Sequence, residues 1–84
     1  MNAKNRKTLE AIFQSPTRTN ILWRDIEALL QHLGATISEG RGSRIRIELV
    51  GVDAVFHRPH PKKEANKSTV DDVREFLVMA GVRP

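Results

Sequence analysis

Between Arg44 and Leu49 the sequence alternates strictly, with Ile45, Ile47 and Leu49 at every second position and Arg44, Arg46 and Glu48 between them. A period of two fits a β-strand and no helix. It assigns the aliphatic set to one face and the charged set to the other. Such a strand belongs in a sheet with one face covered and one face in water. The turn before it, Glu39-Gly40-Arg41-Gly42-Ser43, adds two glycines and another arginine. The open face therefore presents guanidinium groups, as a surface that meets a polyanion must.

The flanking segments supply partners for that strand. Residues 35–39 read as a strand before it, and residues 52–57 as one after it, joined by a tight turn at Val50-Gly51 or one residue beyond. If Phe56 points inward, Val52 and Ala54 follow it, and Val55 and His57 share the open face with Arg44 and Arg46. Helices are expected over residues 4–14, with Leu9, Ile12 and Phe13 as an apolar stripe, and over residues 23–33. The first stops at Ser15-Pro16-Thr17, because proline cannot continue a helix. In the second, Ile26, Leu29, Leu30 and Leu33 recur at i, i+3, i+4 and i+7, and Gly34 stands at the left-handed C-cap position. A last helix starts near Ser68 or Thr69, with Asp71 or Asp72 three residues on in the manner of a capping box. Its stripe is Val70, Val73, Phe76, Leu77 and Ala80, and Gly81 ends it. The order α-α-β-β-β-α predicts an α+β fold, a small antiparallel three-stranded sheet with helices on one face.

Composition narrows the function classes. A chain of 84 residues is one small domain with a modest core. It has no cysteine, which excludes a disulfide framework and a cysteine-based zinc site and fits a reducing cytosol. No apolar run approaches the roughly 20 residues that span a bilayer, and the N-terminus has no signal-peptide core, so a cytoplasmic protein without a membrane partner is expected. The formal net charge is +4. From Arg41 to Lys67 the basic residues Arg41, Arg44, Arg46, Arg58, Lys62, Lys63 and Lys67 face only Glu48, Asp53 and Glu64, which makes the middle of the chain a basic patch.

Three histidines bear on chemistry. His32 lies beside the apolar stripe of the second helix and reads as a surface residue. His57 and His60 flank the Arg58-Pro59 step of the loop Arg58-Pro59-His60-Pro61-Lys62-Lys63, whose prolines bar it from a central strand. With no cysteine and so many cations nearby, these histidines make a poor metal site, and neither metal nor cofactor is expected. Imidazole, with an unperturbed pKa of about 6.5, can act on a phosphodiester as general acid or base, or only hydrogen-bond to it. Gly40-Arg41-Gly42 opens a strand rather than a helix, so it is no dinucleotide fingerprint. Together Arg41, Gly42, Ser43, Arg44, Arg46, Arg58, Lys62 and Lys63 form the candidate phosphate-binding set. With no tyrosine, and with Trp23 opening a helix, base stacking gives way to reading of backbone and shape.

Three short segments, in this order and spacing, resemble a HicA-type toxin. They are Leu30-Gln31-His32-Leu33-Gly34-Ala35 leading to the Gly42-Ser43 turn, then Val55-Phe56-His57-Arg58-Pro59-His60-Pro61, then the last helix with Gly81-Val82. The resemblance covers residues 21–82 and leaves residues 1–20 as an N-terminal helical extension to a domain of residues 21–84. It implies a fold like that of double-stranded-RNA-binding domains, metal-independent cleavage of mRNA, and neutralisation by a HicB-type antitoxin protein. The family's catalytic histidine follows a Gly-Ser pair, and the matching position here is Arg44. Arginine stays protonated, so it can stabilise a pentacovalent phosphate but cannot serve as general base. Two readings stand. In one, Arg44 and Arg46 stabilise the phosphorane while His57 or His60 handles the proton. In the other, the surface binds RNA or the antitoxin with little or no chemistry. A domain that binds only protein is a third, weaker alternative.

Overall fold

In the computed structural model, which describes residues 1–84, alternation in sequence becomes alternation in burial. Along β2 (Arg44–Leu49) the residues Ile45, Ile47 and Leu49 are at most 2% exposed, while Arg44, Arg46 and Glu48 face solvent. Strand β2 lies at the centre of a three-stranded antiparallel sheet, between β1 (Thr36–Glu39) and β3 (Val52–His57). The register sets Ile37 opposite Ile47, Ile45 opposite Phe56, Ile47 opposite Ala54 and Leu49 opposite Val52, so one face of all three strands is apolar. The β2–β3 turn has positive φ at both central residues, 51° at Val50 and 77° at Gly51. That is the left-handed geometry which matches strand twist in a two-residue hairpin. Glycine suits it; a β-branched valine is strained there.

Three helices cover the apolar face: α1 (Ala3–Ile12), α2 (Trp23–His32) and α3 (Lys67–Met79). Ile26, Leu29 and Leu30 of α2 and Val70, Val73 and Leu77 of α3 are fully buried in one hydrophobic cluster with the inward strand residues. Phe56 joins the layers, its ring 6.0 Å from that of Trp23 and 5.9 Å, edge-on, from that of Phe76. Helix α1 is built into the same cluster through Leu9, Ala11 and Ile12. Arg74 of α3 donates to the carbonyls of Ile12 (2.8 Å) and Gln14 (3.4 Å), and Thr17 donates to Asp71, which ties the segment after α1 to α3.

The α+β order and the sheet agree with expectation, as do the bounds of β2 and β3. Several ends differ for local reasons. Helix α1 stops at Ile12, with Phe13 as its C-cap, two residues short of the expected end. Helix α2 closes as a Schellman motif, with Gly34 at φ 100°, the Gly34 amide donating to Gln31 and the Ala35 amide to Leu30. Ala35 is thereby taken up by the helix end, and β1 begins at Thr36. The largest correction is at α3. Its N-cap is Asn66, whose side chain accepts from the Thr69 amide at 2.8 Å, and neither Ser68 nor Thr69 caps it. Asp71 turns away to Thr17 and Arg74 instead of closing a capping box.

Two substitutions test this account in thermal or denaturant unfolding. Asn66→Ala costs about 1 kcal/mol by loss of the cap, whereas Ser68→Ala stays within about 0.5 kcal/mol. Val50→Asn raises stability by about 1 kcal/mol, because asparagine tolerates the left-handed turn that valine resists.

Candidate nucleic-acid interface

The outward residues of the sheet are set by the same register that builds the core. Arg44 lies directly opposite His57, and Arg46 sits between Ser38 on one side and Val55 on the other. Side chains directly opposite in an antiparallel pair have Cβ atoms about 4.5–5.5 Å apart, so Arg44 and His57 form one local group. Further along, Glu48 faces Asp53, which gives the open face a basic end and an acidic end. The basic end adjoins the glycine-rich loop. There Gly40 donates to the Arg44 carbonyl at 2.8 Å, and a Cβ at Gly40 would lie 3.0 Å from that oxygen, so any larger residue would press on the β2 backbone at its entry. Gly42, at φ 60°, completes the turn that brings Arg41 and Ser43 beside the strand. Arg41, Arg44 and Arg46 are exposed and belong to no ion pair.

The loop after β3 continues this surface. A hollow of about 480 Å³ is lined by His57, His60, Lys62, Asn66 and Thr69 together with Arg58 and the two prolines, so both imidazoles border one space. Both histidines are exposed, and Lys62 and Lys63 carry no ion pair. The loop is fastened at both ends. Arg58 donates its amide to the Ser43 carbonyl (2.9 Å), the Trp23 amide donates to the Lys63 carbonyl (2.9 Å), and the Ala65 amide donates to Ile21 (2.9 Å). His32, at the end of α2, is exposed but lines neither this hollow nor the basic end of the sheet. No three His, Cys, Asp or Glu side chains are grouped so as to hold a metal ion.

Arg58 sits differently from the other expected phosphate ligands. One residue beyond outward-facing His57, it turns to the helix side of the sheet. There Nε and one terminal nitrogen donate to the two carboxylate oxygens of Glu27 (2.8 and 3.2 Å), and the other terminal nitrogen donates to Glu39 (2.7 Å). The Trp23 indole also donates to Glu27. Arg58 is therefore a brace between the end of β3, α2 and the end of β1, with its charge matched by two carboxylates. The hydrogen bonds it donates to Glu27 and then to Glu39 raise its pKa further above the usual guanidinium range. The same contact, chiefly as a hydrogen bond, holds Glu39 below the usual carboxylate range. Neither Glu27 nor Glu39 stands out in the sequence as a partner for Arg58. The i, i+4 spacing of Trp23 and Glu27 was the one visible trace.

Fold and site together define a small α+β domain with a cation-bearing sheet face and a histidine-lined hollow at its edge. Residues 23–80 match the model of the family described as HicA toxin of bacterial toxin-antitoxin. That match spans more than half of the chain, and the protein belongs to this family. No curated protein and no solved structure shows significant similarity to the chain.

The brace makes a pH-dependent prediction. A carboxylate whose folded pKa is depressed stabilises the fold above its unfolded value, about 4.3 for glutamate, and loses that contribution as pH falls through the lower folded value. Glu39→Gln therefore melts below the wild-type protein near neutral pH, and the gap closes as the pH drops under about 4. A gap independent of pH contradicts the charge-paired brace.

Proposed function

We propose that this toxin-family protein binds mRNA on the basic end of its open sheet face and cleaves it without a metal ion. The observation that carries the reading is the register that sets Arg44 directly opposite His57, beside the hollow shared with His60 and Lys62. A phosphodiester seated there meets two kinds of group. Arg44 and Arg46 offer fixed positive charge to the phosphorane, and the two imidazoles offer a proton acceptor and a proton donor. One imidazole takes the proton of the ribose 2′-hydroxyl as its oxygen bonds to phosphorus. The bond from phosphorus to the 5′-oxygen breaks, and the other imidazole protonates that leaving oxygen. The products are a 2′,3′-cyclic phosphate and a 5′-hydroxyl. Arg41, Gly42, Ser43, Lys62 and Lys63 hold the flanking backbone, while Arg58 keeps the loop in place.

The order α2-β1-β2-β3-α3 also supports RNA recognition, because double-stranded-RNA-binding domains use this arrangement to read shape and backbone. In this reading residues 21–84 form the toxin domain, residues 1–20 are an added element, and a HicB-type antitoxin silences the toxin by covering the basic face. The site of action is the cytoplasm, where mRNA is found; no helix is long and apolar enough to cross a membrane. One feature favours a second reading, a binding module of the same family with little or no chemistry. Arg44 occupies the position after Gly42-Ser43 where the family's catalytic histidine stands, and arginine cannot act as base.

Purified protein incubated with mRNA in EDTA separates the two. Cleavage is expected, and His57→Ala and His60→Ala each reduce the rate by about 10²-fold or more. Salt-sensitive RNA binding with no cleavage above buffer selects the binding module instead.

A further inference from the structure

The family match begins at residue 23, yet the charge does not. In residues 1–22 the cations Lys4, Arg6, Lys7 and Arg18 stand against Glu10 alone, which places +3 of the chain's +4 in the segment ahead of the matched domain. Helix α1 presents Lys4 and Lys7 one turn apart along the rim of a groove of about 320 Å³, with Arg18 on the same groove. Its one carboxylate, Asp25, is already paired with Lys4 at 3.3 Å. Arg18 is oriented by its Nε bond to Asn20 and has no carboxylate partner, and Lys7 is exposed and unpaired.

This groove is not isolated from the histidine hollow. A third hollow, of about 280 Å³, lies between them. It shares Arg58 and Pro59 with the histidine hollow and adds Lys63 and Arg24. On the first turn of α2 the linings interleave, Trp23 and Arg24 bordering this hollow and Leu22 and Asp25 the α1 groove. The bridge between residues 22 and 64 keeps the loop and the α1 side in contact. From His60 to α1 the surface is thus a chain of depressions lined by Lys63, Arg24, Lys4, Lys7 and Arg18.

We infer that this chain of depressions is a track for the phosphate backbone of single-stranded RNA, leading from the histidine hollow over Lys63 and Arg24 to the α1 groove. The inference rests on the RNA reading above and adds a second contact region, supplied by the N-terminal segment. Charge and texture favour RNA over an acidic protein. A protein interface draws its affinity from buried aromatic and apolar anchors, and the track offers few: Trp23 and Ile21 are 5% and 6% exposed, and its charged side chains are cationic except for Asp25, paired with Lys4, and Glu64. A phosphate backbone needs only spaced positive charges, for which lysine serves as a point charge and arginine as a fork. With no stacking ring along it, the track holds RNA of any sequence, and its contribution grows with the length of the strand.

The test is fluorescence anisotropy on the full chain with single-stranded RNAs of roughly 20 and roughly 6 nucleotides over a salt series, using Lys7→Gln/Arg24→Gln/Lys63→Gln. These three side chains are exposed and unpaired, and glutamine keeps helix propensity, so unfolding midpoints stay at the wild-type value. Each phosphate contact on a single strand contributes about 0.7 to the slope of log affinity against log salt, so the triple variant lowers the slope for the long RNA by about 2. The short RNA, seated at the hollow, loses at most the Lys63 contact, a slope change of about 0.7, and Lys7→Arg/Lys63→Arg keeps the wild-type slope. A wild-type slope in the triple variant on the long RNA overturns the track, and if Arg44→Ala/Arg46→Ala still lowers the slope, the sheet-face reading survives. No binding of either RNA by the wild-type chain overturns both.

Discussion

Strand β2 is hydrogen-bonded on both edges, so the burial of its three inward aliphatic residues decides where β1, β3 and the helices can lie. Fully burying such side chains is worth about 1.5–3 kcal/mol each, in a molecule whose net stability is of the order of 5–15 kcal/mol. The same alternation leaves Arg44 and Arg46 no choice but the opposite face. Core and basic surface are therefore two consequences of one pattern. A slip of one residue in β2 would bury two guanidinium groups and expose two isoleucines, which forbids neighbouring registers strongly.

Strand β3 applies the rule to single neighbours. His57 and Arg58 are adjacent, yet one faces the open sheet and the other the helix layer, because side chains alternate along a strand. Arg58 meets Glu27 and Glu39 and is electrically matched. Arg44 and Arg46 meet no carboxylate, and their charge is left unmatched. The distinction between a paired brace and an unpaired cationic surface is thus drawn by which side of the sheet a guanidinium reaches, and one step along the chain is enough to change it.

Legibility in the sequence followed the range of the interactions involved. Helix α2 was readable because its stripe and Gly34 cap act within a turn, and β2 and β3 because alternation and the Val50-Gly51 turn are local. The start of α3 was not, since Asn66, Ser68 and Thr69 are all competent caps and the choice depends on tertiary partners that claim Asp71. Arg58 was the least legible of the site residues. Its partners lie 31 and 19 positions away, and nothing near it in the chain distinguishes it from Lys62 or Lys63. The basic end of the open face was legible in outline, as were the histidines beside it. What the sequence concealed was that α1 packs into the common core, bringing its lysines to the same molecular surface as the histidine hollow.

The fastening of residues 58–65 has a thermodynamic corollary. Backbone hydrogen bonds to Ser43, Trp23 and Ile21 fix this proline-rich loop before any ligand arrives. Freezing a backbone costs on the order of 1–2 kcal/mol per residue, and here that loss is incurred during folding rather than at encounter. In the proposed RNA-binding role, a strand meeting the hollow orders itself but very little of the protein. On that proposal affinity varies with the ligand's own stiffness, and a structured or stacked strand is held more tightly than a floppy one carrying the same charge.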